Sequence, residues 1–156
     1  MSSGVPFGHL GDAAIWQLPK NAFLCSRKVP AAQVLKCYDW AIAMREAGRC
    51  VMLGAHSQLE KDVLHYLLKG RQPVVLVLAR TMVKRLDPAL EPKIAQGSLL
   101  LVAPPGIRTA RVTRETAAIR NRFLVQHAQE VVCGHVDPSG SLATLLAEAG
   151  VRPKVL

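Results

Sequence analysis

The chain has few aromatic residues, 4% of 156 positions, and few acids, 11 against 20 lysines and arginines. Two tryptophans, two tyrosines and three phenylalanines are too few for extensive stacking on nucleobases. The shortage of acid leaves a formal net charge of +9, which attracts polyanions and makes any such binding sensitive to salt. No apolar run approaches the length that crosses a bilayer, and the N-terminal stretch lacks a basic start followed by a long apolar segment. A soluble, cytoplasmic protein with no membrane partner is expected.

Several motifs are missing as well. Without G-x-x-x-x-G-K-[ST] or a G-x-G-x-x-G after the first strand, P-loop hydrolysis and ordinary NAD binding are not expected. G-x-S-x-G is absent, and the spacing of His56, His65 and His135 matches neither H-x-x-x-H nor H-E-x-x-H. No metal and no cofactor are therefore expected. The four cysteines, at 25, 37, 50 and 133, form no C-x-x-C pair and read as reduced, mostly buried thiols. Cys25 sits at a strand end beside cations, where a thiol can be activated, but without a clear histidine partner a packed cysteine is the better reading.

What is present is a run of short apolar segments alternating with helical patterns. Asn21 to Cys25, Cys50 to Leu53, Val74 to Leu78, Leu99 to Val102 and Glu130 to His135 read as strands. Between them, Val34, Leu35, Tyr38, Ala41 and Ile42 recur at helical spacing until Gly48, and Leu59, Val63 and Leu67 mark a second helix. Pro88 and Pro92 predict a short or broken helix between Met82 and Gln96. Helices over 113–129 and 141–148 follow, and 151–156 could add an edge strand. The pattern predicts a Rossmann-like, doubly wound α/β domain over 21–156: a mostly parallel sheet with helices on both faces. Residues 1–20 are expected to form an N-terminal arm.

Ligands of such sheets collect beyond the carboxyl ends of the strands. Those ends carry Ser26-Arg27-Lys28, Gly54-Ala55-His56-Ser57 and Ser139-Gly140-Ser141, where small residues expose backbone amides and arginine offers a forked donor to phosphate. From Pro104 to Arg122 there are five arginines (108, 111, 114, 120, 122) and one acid, Glu115. Arg108, Arg111 and Arg114, with Lys28, are expected to extend a positive surface along nucleic acid without reading its sequence. Glu60 completes an S-x-x-E capping box with Ser57, a structural role that competes with general acid or base chemistry.

Taken together, Cys25-Ser26-Arg27, Gly54-Ala55, Arg120-Asn121-Arg122 and Ser139-Gly140-Ser141-Leu142 resemble the DNA-processing protein A family, also called Smf. They look like its G-S-R loop, with Cys in place of Gly, part of its glycine-rich second loop, its R-N-R signature and its S-G-S-L turn. The match spans 21 to about 150, and Leu53 through Pro73 looks closer still to small stand-alone relatives. The resemblance implies single-stranded DNA binding and self-association, which leaves a homodimer open, and together with the strand-end loops it marks Ser26, Arg27, Gly54, Ala55, His56, Ser57, Arg120, Asn121, Ser139, Gly140 and Ser141 as phosphate-binding. The expected function is binding of single-stranded DNA or a nucleotide. The alternatives are a carrier or sensor of a small phosphorylated ligand and the related LOG nucleotide hydrolases, N-glycosidic enzymes. Their signature glutamate has no counterpart in Asp137 to Thr144, so an enzyme is the less favoured reading and no catalytic residue is assigned.

Overall fold

The computed structural model describes residues 5–156; the first four residues of the expected arm lie outside them. Seven strands form one sheet in the order β1-β5-β4-β3-β2-β6-β7. They are β1 (His9–Gly11), β2 (Asn21–Leu24), β3 (Val51–Leu53), β4 (Val74–Val77), β5 (Leu99–Val102), β6 (Glu130–Cys133) and β7 (Lys154–Val155). All pairings are parallel except that of β1 with β5, where His9 faces Val102 and Gly11 faces Leu100. The expected doubly wound α/β fold is the fold found.

The pleat sorts the core into two layers, because alternate residues of each strand face opposite sides. Phe23, Val51, Leu53, Val74, Leu76, Leu99 and Leu101 pack under α1 (Ala31–Glu46) and α2 (Gln58–Leu68). Ala22, Leu24, Met52, Val75, Leu100 and Val102 face the other way, under α4 (Arg114–His127) and α5 (Ser141–Ala149). Strands buried on both faces cannot alternate with polar residues, which is why the sequence shows continuous apolar runs. The segment with two prolines yields only the five-residue α3 (Glu91–Ala95), with Pro92 near its start. Ahead of β2, a 3-10 helix (Ala13–Gln17) lays Ile15 and Trp16 on the α4 side of the sheet.

Chain order sets where a ligand can sit. From β2 the chain steps outward through β3, β4 and β5, then α4 carries it back to place β6 on the opposite side of β2. The loops leaving β2 and β6 therefore lead to helices on opposite faces of the sheet, and the space between them is its switch point.

Candidate functional site

At the switch point the two loops are stitched together. Ser26 N–H donates to the His135 carbonyl at 2.9 Å, Asp137 N–H donates to Ser26 Oγ at 2.8 Å, and Gly134 N–H donates to the Leu24 carbonyl at 3.0 Å. Arg27, Lys28, Val29, Pro30, His135 and Asp137 line an open recess of about 620 Å³. The helices leaving these loops begin without side-chain caps, α1 behind Pro30 and α5 behind Gly140. Their first amides are thus not claimed by a capping side chain, and the positive end of each helix dipole lies at this edge of the sheet.

Asp137 orders the second loop. Its Oδ1 accepts from Ser139 N–H at 3.1 Å and from Ser139 Oγ at 3.0 Å. Those two bonds hold its carboxyl below the usual carboxylate range, and His135 and Lys28 act in the same direction. The Ser139 hydroxyl is committed to this carboxylate, whereas Ser141 stands exposed in the first turn of α5.

One strand over, the end of β3 is built differently. Ser57 caps α2: its Oγ accepts from Glu60 N–H at 3.2 Å, while Glu60 Oε1 accepts from Ser57 N–H at 2.9 Å and from His56 N–H at 3.3 Å. The capping role read from the sequence is therefore present, and it occupies two amides of the loop. His56 is exposed and Ala55 half-buried.

Above this loop lies Arg120, projecting from α4 with 4% of its surface exposed. Its Nε donates to Asn121 Oδ1 at 2.8 Å, so the asparagine orients the guanidinium. The guanidinium rests on Gly54: a Cβ there would fall on Nη1 and come within 2.5 Å of Cζ and 2.9 Å of Nε. Among the described residues neither Nη1 nor Nη2 has a hydrogen-bond partner, and no carboxylate forms an ion pair with them. Burial pushes the guanidinium below its ordinary range, and the Glu60 carboxylate, itself 6% exposed, pulls it back up. Arginine stays charged under such conditions. The site thus holds a buried, oriented cation with its terminal donors uncommitted.

The arginines expected to extend the positive surface lie further along the same edge. Arg108, Arg111 and Arg114 are exposed in and just after the loop leaving β5, and Thr81 N–H donates to the Thr109 carbonyl at 3.0 Å, tying the β4 loop to it. Sequence reasoning passed over Lys84 and Arg85, which are exposed in that β4 loop and add to the same rim. Three strand spacings separate β5 from β2, about 14 Å, so these arginines do not share a pocket with Arg27. The structure gathers Ser26, Arg27, Lys28, Ser139, Gly140 and Ser141 at the switch point and Gly54, Arg120 and Asn121 beside it, leaving the arginine trio as a separate extension.

No family model matches the chain, and no curated protein matches its sequence significantly. Solved structures do match. DNA processing protein A from Helicobacter pylori, whose structure was described for its single-stranded DNA binding mode, superposes with a TM-score of 0.71 at 15% identity, over 94% of this chain and 69% of that one. Its counterpart from Streptococcus pneumoniae gives 0.68 at 17% identity, again over 94% of this chain and only 53% of its own length. A molybdenum cofactor binding protein from Rippkaea orientalis gives 0.58 at 10% identity, over 88% of this chain and 75% of that one. At these identities the likeness is one of fold, and that fold is the one the motifs of DNA-processing protein A led us to expect.

Proposed function

We propose that the chain is a binding protein that holds the phosphate of single-stranded DNA or of a nucleotide at the carboxyl ends of its parallel strands. The observation that carries this reading is Arg120. A guanidinium 4% exposed, fixed through Nε by Asn121 and with neither terminal nitrogen hydrogen-bonded among the described residues, sits at the strand ends where a ligand anion would complete it. Burying a guanidinium this deeply is costly to a fold even with the Glu60 carboxylate nearby, and a ligand anion at its terminal nitrogens would offset that cost further.

The surroundings agree in sign and chemistry. Arg27 and Lys28 edge the switch-point recess beside the uncapped start of α1, and phosphate oxygens are suited to such amides and cations. Ser26, Gly54, Ala55, His56, Ser57 and Ser139 to Ser141 form the loops around that anion, with Asn121 orienting the arginine. Arg108, Arg111 and Arg114 extend the contact along a longer polyanion, adding affinity without sequence choice. Binding is favoured over catalysis because the carboxylates beside the recess and beside Arg120 are engaged in holding loops, Asp137 through Ser139 and Glu60 through the amides of His56 and Ser57. Action in the cytoplasm and self-association as a homodimer belong to the same reading.

The test is a fluorescence-anisotropy titration of a labelled single-stranded oligonucleotide at low and moderate salt, with unlabelled mononucleotide as competitor. Saturable binding that weakens with salt and is displaced by mononucleotide is expected. Absence of binding at low salt to a chain of net charge +9 would remove the nucleic-acid reading, and mononucleotide binding alone would transfer it to a small phosphorylated ligand.

A further inference from the structure

Two of the four thiols meet beneath the switch-point loop. Strand pleating puts Cys25, two residues after Phe23, on the α1 side of the sheet, where α1 supplies Cys37. Gly134, just past β6, leaves the notch that both sulfurs fill. A Cβ at that position would fall on Cys37 Sγ and lie 3.2 Å from Cys25 Sγ and 3.3 Å from Phe23 Cζ. The two sulfurs therefore lie side by side against the same notch, close enough to shift each other's ionisation. Cys25 is half-buried, whereas Cys37 is completely enclosed.

From this geometry we infer that Cys25 and Cys37 are a dithiol modification site, closed by a hydroperoxide to an intramolecular disulfide under the β2 loop. Cys25 is the sulfur a small oxidant reaches. Its thiol reduces the peroxide, taking one oxygen to become a sulfenic acid while the other leaves as water or alcohol. The Cys37 sulfur then attacks the Cys25 sulfur; the S–S bond forms, the S–OH bond breaks, and hydroxide departs with the Cys37 proton as water. The interaction between the neighbouring thiols makes Cys37 the easier and Cys25 the harder to ionise, so the two titrate as a pair.

The other two cysteines lack these features. Cys50 and Cys133 are 4% and 0% exposed, and burial pushes their thiols up to about 11 and about 12. Buried this deeply, neither sulfur is open to an oxidant. Selectivity for one pair thus follows from contact and access together.

Closure has a consequence for the loop. Cys25 precedes Ser26, whose amide and hydroxyl hold the His135 and Asp137 backbone, and then Arg27 and Lys28 at the edge of the recess. Drawing Cys25 Sγ from its place against the Gly134 notch into a covalent bond shifts this strand end toward α1 and displaces the two cations. This effect on ligand binding rests on the phosphate-site reading; the disulfide does not.

The test treats the full chain with hydrogen peroxide, blocks free thiols with an alkylating agent after denaturation, and maps peptides without reduction. A linked Cys25–Cys37 peptide is expected, in a chain lighter by about 2 Da before alkylation. Cys50 and Cys133 should be alkylated, and dithiothreitol should reverse the change. Cys25→Ser should abolish the link. No reaction, a link between two chains, or Cys25 carried to sulfinic acid beside a free Cys37 would each overturn the proposal. Oligonucleotide titration of the reduced and oxidised chains separates the two readings. Weaker binding after oxidation supports the coupling, and equal binding refutes the coupling alone. A reduced chain that binds nothing refutes the phosphate site and leaves the disulfide standing on its mass.

Discussion

Replacing Arg120 with methionine separates a ligand-binding cation from a structural one. Methionine keeps much of the arginine stem's volume and removes the charge, so packing against Gly54 and α4 is largely retained. The fold loses the bond from Nε to Asn121 Oδ1, worth about 1.5–3 kcal/mol for a charged donor. Against that stands relief from holding a guanidinium 4% exposed with no ion-pair partner among the described residues, a desolvation cost of several kcal/mol per buried ion. The two terms oppose each other, so Arg120→Met should unfold in urea within about 1 kcal/mol of the parent, or above it. Binding should move far more. Losing one or two charge-assisted bonds to phosphate costs about 1.5–3 kcal/mol each, and about 1.4 kcal/mol is already tenfold in affinity. Urea unfolding and anisotropy titration of the same preparation read both quantities. Destabilisation by about 3 kcal/mol or more with unchanged binding would refute the reasoning and make Arg120 a structural counter-ion of Glu60.

Gly54→Ala places a methyl group on the guanidinium, so about 1–3 kcal/mol of stability should be lost to overpacking. Its effect on binding should largely vanish when combined with Arg120→Met, which a double-mutant cycle by anisotropy would measure. Ser57→Ala removes the acceptor for Glu60 N–H and should cost about 1 kcal/mol of stability by urea unfolding. Neutralising Arg108, Arg111 and Arg114 together should lower the slope of log affinity against log salt by about 0.7 per lost contact on single strands, while leaving mononucleotide affinity unchanged. His127 packs on the ring of Phe123 with centroids 4.3 Å apart, and burial, then Lys20, lowers its pKa. Above about pH 6.5 both folded and unfolded chains hold it neutral; below that the unfolded chain takes up the proton first, so stability should fall with acidification and level off below the folded-state pKa. His127→Gln should flatten thermal stability across that window.

What could be read from the sequence is what neighbours in sequence decide. The Ser57–Glu60 box lies within one turn, so its spacing announced it and its bonds formed as expected. The Thr113–Thr116 box at the head of α4 went unread, because threonine in the third position lacks the carboxylate or amide that marks the pattern. Strand β1 was hidden for another reason. Three residues, one of them glycine, carry no period, and only pairing with Val102, Leu101 and Leu100 makes them a strand. Arg120 could be singled out from its motif, yet the properties that make it informative could not. Its burial, its orientation and its unbonded nitrogens depend on the space left by Gly54, which stands 66 positions earlier and on another layer. Cys25 and Cys37 repeat the lesson: their spacing of 12 suggests nothing, and their contact exists because Gly134 has no side chain. In both places a distant glycine supplies room for a reactive group, and a missing side chain leaves no mark in a search for groups that do chemistry. Glycines at strand ends are therefore best examined for what occupies the volume their Cβ would take, before they are read as loops for phosphate.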